Sequence, residues 1–245
     1  MCRLFGWASP QPRSAEELLG PDVARLQELS QLHRDGWGAA WFNSSGMSRH
    51  REDIPAYSSD EFSSAMSSQA ANVGVVHLRW ATEGISVCLE NTHPFVRDGV
   101  AFIHNGSVPD KGPLESLIDP DLRSTMEGEN DSERYFLAVL SAYRRLGSVP
   151  AAFAEVLLAL ADEAYPSLNA MWAEADRLVV VSAYQNEFKG EEFPADYYPI
   201  SYGSYGTATM AWSTGVFSGR GLELANFSAL VVDAATGVTT TQPLR

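Results

Sequence analysis

The sequence predicts an α+β fold. Two long amphipathic segments follow one another in mid-chain, groups of short apolar stretches flank them, and no alternating strand–helix rhythm runs through the whole. With 245 residues, 45% hydrophobic and 11% aromatic, the chain can bury a sizeable core and is read as one globular domain over residues 1–245.

The opening MCRLFGW reads as a strand. In SAEELLGPDVARLQELSQLH, Ser14 suits an N-cap and Leu18, Leu19, Val23, Leu26 and Leu29 recur at helix-like intervals, while Gly20 and Pro21 split the run into two short helices. HRDGWGAAWF places two glycines around Trp37 ahead of an apolar strand, the mark of a turn where backbone comes close to something. NSSGMSRH is a hairpin-type loop, SSDEFSSAMSSQAA a short Ser-rich helix or loop, and VGVVHLRWAT a buried, β-branched strand. ENTHPF is irregular by its Asn and Pro, and GVAFIHNGSV is a strand ending at Asn105-Gly106. After a weak helix in KGPLESLI comes the clearest one, GENDSERYFLAVLSAYRRLG. It has acidic and capping residues at its start, Phe136, Val139, Leu140 and Tyr143 on one face, and basic residues and Gly147 at its end. VPAAFAEVLLALADEAY is a second amphipathic helix, RLVVVSAY a strand, and FSALVVDAATGVTTTQPL a hairpin turned at Ala235 to Gly237. Residues 186–226 are rich in Tyr, Gly, Ser and acid, lack a period, and receive no element.

The formal charge of −14, with basic residues scattered, argues against nucleic acid or an anionic membrane as partner. Only two cysteines occur, Cys2 and Cys88, and no charged-then-apolar leader precedes the first, so a reducing, cytoplasmic setting is expected. On the same ground the sequons at Asn43, Asn105, Asn130 and Asn226 are read as chance matches. The run AAFAEVLLALADEAY is interrupted by Glu155 and Asp162 and falls short of the roughly 20 apolar residues of a membrane span. GxSxG, GxxxxGK, HExxH and CxxC are all missing, so neither metal nor cofactor is expected. The histidines at 33, 50, 77, 93 and 104 lack ligand spacing, and His77 and His104 suit hydrogen-bonded core positions.

Cys2 carries the chemistry. Once Met1 is removed it is the first residue, and a terminal cysteine holds both a nucleophile and a base. A free thiol near pKa 8.5 is mostly protonated at neutral pH, whereas an α-amine near 7.7 to 8.0 retains a useful neutral fraction.

Behind this cysteine the motifs DGWG, HLRWAT, ENTHPF, HNG and NDSE follow in order through residue 140. Together with MCRLFGW they resemble the glutaminase domain of the class II glutamine amidotransferases, a branch of the N-terminal-nucleophile hydrolases. The likeness is nearest to short stand-alone members, among them the γ-glutamyl hydrolase of ergothioneine biosynthesis. Each motif alone is weak; their order and spacing carry the resemblance. It implies a four-layer αββα sandwich, two antiparallel sheets face to face with helices outside.

The resemblance also implies a site. A γ-glutamyl substrate presents an α-carboxylate, an α-ammonium and a carbonyl to attack. Arg79 matches the cation for the carboxylate, and its planar fork grips such a group bidentately; as a lone residue it also fits a surface arginine at a strand end. Asp131 matches the group that holds the ammonium, and it also suits a helix N-terminus. Asn105 and Gly106 match an oxyanion hole, although Asn-Gly is also a common hairpin turn. Trp80 and Thr82 line the carboxylate pocket by the same resemblance. Glu83 stands where much of the family has His, and is expected to point away or to meet a cationic part of the substrate. Asp35 in DGWG is expected to be structural, with a role in orienting the Cys2 amine; His93 receives no role, and Cys88 is expected to be a buried thiol. Residues 186–226, with Trp212 and several tyrosines, are expected to form an aromatic wall around the leaving group.

The expected activity is that of a stand-alone hydrolase of a γ-glutamyl amide acting through a Cys2 thioester on a small-molecule substrate. Two alternatives stand beside it: a glutaminase subunit delivering ammonia to a separate synthase chain, and a catalytically silent relative that binds an amino acid or a partner.

Overall fold

The computed structural model describes residues 2–185 and 196–245. Strand β1 (Arg3–Arg13) leads into helices α1 (Ala15–Leu19) and α2 (Asp22–Leu29), strands β2 (Trp37–Asn43) and β3 (Gly46–Glu52), helix α3 (Phe62–Ser68) and strand β4 (Ala71–Leu78). A long irregular segment precedes β5 (Phe95–Arg97) and β6 (Val100–Gly106). Next come the short helices α4 (Gly112–Leu117) and α5 (Pro120–Arg123) and the long pair α6 (Asp131–Leu146) and α7 (Val149–Ala159). Strands β7 (Leu168–Ala173), β8 (Arg177–Ser182), β9 (Ile200–Tyr205), β10 (Ala208–Ser213), β11 (Leu222–Glu223), β12 (Ser228–Asp233) and β13 (Thr239–Pro243) follow.

The strands form two antiparallel sheets, ordered β11-β9-β10-β1-β4-β2-β3 and β13-β12-β8-β7-β6-β5. Three apolar clusters separate four layers. Leu4, Val75, Ile103, Met171 and Val180 fill the space between the sheets. Phe5, Trp7 and Trp37 pack outward against Leu18, Leu26 and Phe62 of the first helices. Phe102 and Trp172 pack outward on the other side against Tyr135, Phe136 and Phe153 of the long helices. The result is the αββα sandwich. Because both faces of the central strands are covered, stretches such as VGVVHL run apolar without alternating.

Local signals explain the helix ends. Ser14 Oγ accepts from Glu17 N at 3.1 Å while the Glu17 carboxylate accepts from Ser14 N at 3.0 Å, a capping box worth about 1 kcal/mol. Gly20 closes α1, and Gly147 closes α6 in the left-handed region at φ 68°. The N-cap of α6 is Asn130, whose side chain accepts from Glu133 N at 2.9 Å; Asp131 is the first helical residue.

Three stretches differ from expectation. NSSGMSRH is mostly strand: β3 begins at Gly46 and pairs along β2, leaving a two-residue turn. LNAMWA, given no element, is the central strand β7, buried along its whole length and poor in the β-branched residues that mark strands. The region without a period contains β9, β10 and β11; β10 is buried on both faces and therefore does not alternate. Residues 186–195 of that region lie outside the described ones. No described helix is long and apolar enough to cross a membrane.

Candidate active site

Cys2 immediately precedes β1, which is paired on both sides by β4 and β10, and it is buried. Across the gap between the sheets ends β6, carrying Asn105 and Gly106. The Cys2 N–H donates to Asn105 Oδ1 at 2.8 Å, leaving the NH2 end of that amide as the donor available to a ligand oxygen. Asn105 and Gly106 pair in register with Asn169 and Leu168 of β7, so the dipeptide ends a strand and is not a hairpin turn. A Cβ at position 106 would overlap the Ser167 carbonyl, and only glycine lets the two backbones approach this closely.

The sulfur lies against one peptide unit. Trp80 N donates to Cys2 Sγ at 3.4 Å, and the thiol lies 3.6 Å from Trp80 O. Burial pushes the thiol pKa above its ordinary value, although the Trp80 N–H and the Arg79 guanidinium favour the thiolate. At neutral pH the sulfur is therefore protonated and needs a base.

Arg79 follows β4 directly and is buried. Its guanidinium donates through Nη1 to Asp35 O and through Nη2 to Ser86 O, both at 3.1 Å, which uses two of its five N–H donors. The DGWG turn builds this corner: Asp35 N donates to Arg79 O, Arg79 N to Gly36 O, and Ala81 N to Asp35 Oδ2. Asp35 thus orients the Arg79–Ala81 segment. The Cys2 nitrogen is held by Asn105 instead, which corrects the role expected for Asp35. Gly38 in the same turn meets the His93 carbonyl where a Cβ would stand, the close approach its glycines imply.

Asp131 is buried at the start of α6, where the helix dipole favours a carboxylate, and its Oδ2 accepts from Val108 N at 2.6 Å. Its charge is felt at Cys2. Trp80, Thr82 and Glu83 are exposed beside these buried groups, with the Trp80 ring edge-on to His33 at 5.8 Å. The chain thus brings Cys2, Arg79, Trp80, Asn105, Gly106 and Asp131 together, with Thr82 on the outer loop.

Some residues were missed or misplaced by sequence reasoning. Asn91 in ENTHPF ties the site loops together: its Nδ2 donates to Ser86 O, its Oδ1 accepts from Glu129 N, and its carbonyl accepts from Asn130 Nδ2. Its place in ENTHPF is its only signal in the sequence. Cys88 is half-buried rather than buried. Trp212 is a core residue packed on Phe217 and forms no wall, whereas Tyr197 lies 4.1 Å from the Arg3 guanidinium, whose Nη1 donates to Cys2 O. Among the described residues no three His, Cys, Asp or Glu side chains group as metal ligands.

The family model for class II glutamine amidotransferases matches residues 1–186. The chain belongs to this family. A glutamine–fructose-6-phosphate aminotransferase from Agrobacterium fabrum is 30% identical over 147 residues, 60% of this chain and 23% of the relative. A γ-glutamyl-hercynylcysteine sulfoxide hydrolase from Mycolicibacterium smegmatis is 28% identical over 133 residues, 49% of this chain and 59% of the relative. Both matches extend over less than two thirds of the relative's length. A solved glutamine aminotransferase class-II domain protein from Silicibacter pomeroyi superimposes with a TM-score of 0.67 at 17% identity, covering 99% of each chain. The fold is therefore the one shared by the solved class II glutamine amidotransferases.

Proposed function

We propose that this class II glutamine amidotransferase hydrolyses a γ-glutamyl amide through a thioester on Cys2, with water as the acceptor. The observation that carries the reading is the placement of Cys2, its nitrogen on Asn105 Oδ1 and its sulfur on the Trp80 peptide. With Met1 removed, that nitrogen is an amine of pKa about 7.7 to 8.0, one residue from a thiol that burial keeps protonated. The amine takes the thiol proton and the sulfur attacks the γ-carbonyl. The tetrahedral oxyanion is met by the Asn105 NH2 and the Gly106 N–H. The ammonium returns its proton to the departing nitrogen, the C–N bond breaks, and a γ-glutamyl thioester remains. Water, deprotonated by the same amine, attacks that thioester, releasing glutamate and restoring the thiol.

Arg79 binds the α-carboxylate with the donors it does not give to Asp35 and Ser86, and Asp131 binds the α-ammonium. Trp80 and Thr82 border the carboxylate end. The relationship to the Mycolicibacterium hydrolase supports a γ-glutamyl conjugate as substrate, with water as acceptor.

The test is the intact mass of the purified protein before and after treatment with diazo-oxo-norleucine, a glutamine-like electrophile. The expected result is a chain lacking Met1 that gains one adduct, mapped to Cys2. Retention of Met1, or an unmodified Cys2, would overturn the reading.

A further inference from the structure

The groups of the site come from three layers: Cys2 and Arg79 from the first sheet, Asn105 and Gly106 from the second, Asp131 from the helices beyond. Their spacing depends on what fixes those layers against one another. The apolar contacts between the sheets have no directional preference. Two buried histidines supply direction.

His77 lies on β4 opposite Leu4 of β1, two residues along from Cys2. Its Nε2 is 3.0 Å from the carbonyl oxygen of His104, across the gap between the sheets. A carbonyl oxygen only accepts, so the ring carries its proton on Nε2. Nδ1 has no hydrogen-bond partner among the described residues, consistent with a bare lone pair there. Strand β5 pairs with β6 only as far as Phe102, so His77 engages β6 beyond the end of β5, at the residue immediately before Asn105. The ring of His93 packs on that of His77 at 4.1 Å and encloses it. Burial lowers the His77 pKa to about 3, so the ring stays neutral and the donor stays in place through the ordinary pH range.

The ring of His104 makes the next link. Its Nδ1 lies 2.9 Å from Ser132 Oγ, in the residue after Asp131. His77, His104 and Ser132 thus join the first sheet to the second and the second to α6, each link falling one or two residues from a group of the site.

We infer that His77 is a positioning residue, its hydrogen bond to the His104 carbonyl setting the separation of Cys2 from Asn105 and Gly106, while the His104–Ser132 contact extends the same registration to Asp131. The inference rests on the hydrolase reading above. It assigns His77 no proton transfer, because the ring lies beneath the site and is held neutral.

The experiment compares His77→Gln, which retains an N–H near the Nε2 position, with His77→Leu, which has none. Rates are measured on a γ-glutamyl anilide and normalised to folded protein. His77→Leu should lower kcat about 100-fold with KM within about threefold, since misplaced oxyanion donors act on the transition state. His77→Gln should recover to within about tenfold of the parent, as expected for a preserved donor. A His77→Leu variant that keeps the parent kcat per folded molecule would overturn the inference, as would equal losses in both variants.

If His77→Leu does not fold, the 15N–1H spectrum of the imidazoles in the unaltered protein decides. A slowly exchanging proton on Nε2 of His77 supports the inference, and a proton on Nδ1 overturns it. Lack of turnover by the unaltered protein on every γ-glutamyl amide would instead overturn the hydrolase reading, and the imidazole spectrum would still test the hydrogen bond.

Discussion

Two regions between the same pair of sheets are built on opposite principles. Between the sheets, Leu4 of β1, Val75 of β4 and Ile103 of β6 belong to one apolar layer. Two residues nearer the site on each chain segment, on the same inward face, stand Cys2, His77 and Asn105. Each strand passes from core to site in one step of its side-chain period. The apolar stretch holds the sheets together without fixing their relative position; the polar end fixes position through bonds that have direction. A site made only of apolar contacts would tolerate small slips. One made only of buried polar groups would lack the burial that offsets their desolvation.

The comparison can be broken first at the nucleophile. Cys2→Ala should lower turnover of a γ-glutamyl amide by about 10⁴-fold or more while the fold persists, because the sulfur contributes little to the apolar layer; residual turnover above a tenth of the parent would exclude Cys2 as the nucleophile. Asn105→Ala removes the proposed oxyanion donor and should cost about 10²–10³-fold in kcat, read in steady-state kinetics. Arg79→Lys keeps the charge but loses the fork, so KM should rise about tenfold or more with a smaller change in kcat. An unchanged KM would remove Arg79 from the carboxylate.

A gentler probe is pH. Because burial raises the Cys2 pKa, the thiolate fraction at any pH below it is smaller than for a free cysteine. Alkylation of Cys2 by iodoacetamide should therefore climb about tenfold per pH unit and keep climbing past pH ~8.5. A plateau near neutrality would mean a thiolate already formed. The smallest effect is expected from the other side of the comparison. Ile103→Val should cost about 0.5–1.5 kcal/mol in denaturant unfolding and leave kcat within about twofold, showing that the apolar stretch contributes stability rather than geometry.

Much of this was legible in the chain itself. Ser14 and Glu17 announced a capping box, Gly147 a helix end, and DGWG a tight approach of backbones, each through a local constraint that one or two residues express. Cys2, Arg79, Asn105 and Asp131 could be named because motifs preserve their order. What they touch could not. That Asn130 rather than Asp131 caps α6, that Asp35 serves Ala81 rather than Cys2, and that Asn91 knots three loops are tertiary facts between residues dozens of positions apart. Strands β7 and β10 escaped notice for a different reason: buried on both faces, they carry neither alternation nor a strong β-branched signature.

The pairing of β1 bears on the order of events during synthesis. The strand that follows Cys2 is synthesised well before one of its two neighbours, β10, which spans Ala208–Ser213. It therefore waits, half-paired at best, until β10 has been made. Under the proposed mechanism this delay is an opportunity: Met1 can be trimmed from an open end, and the freed amine is drawn onto Asn105 when the last strands of the sheet close around it.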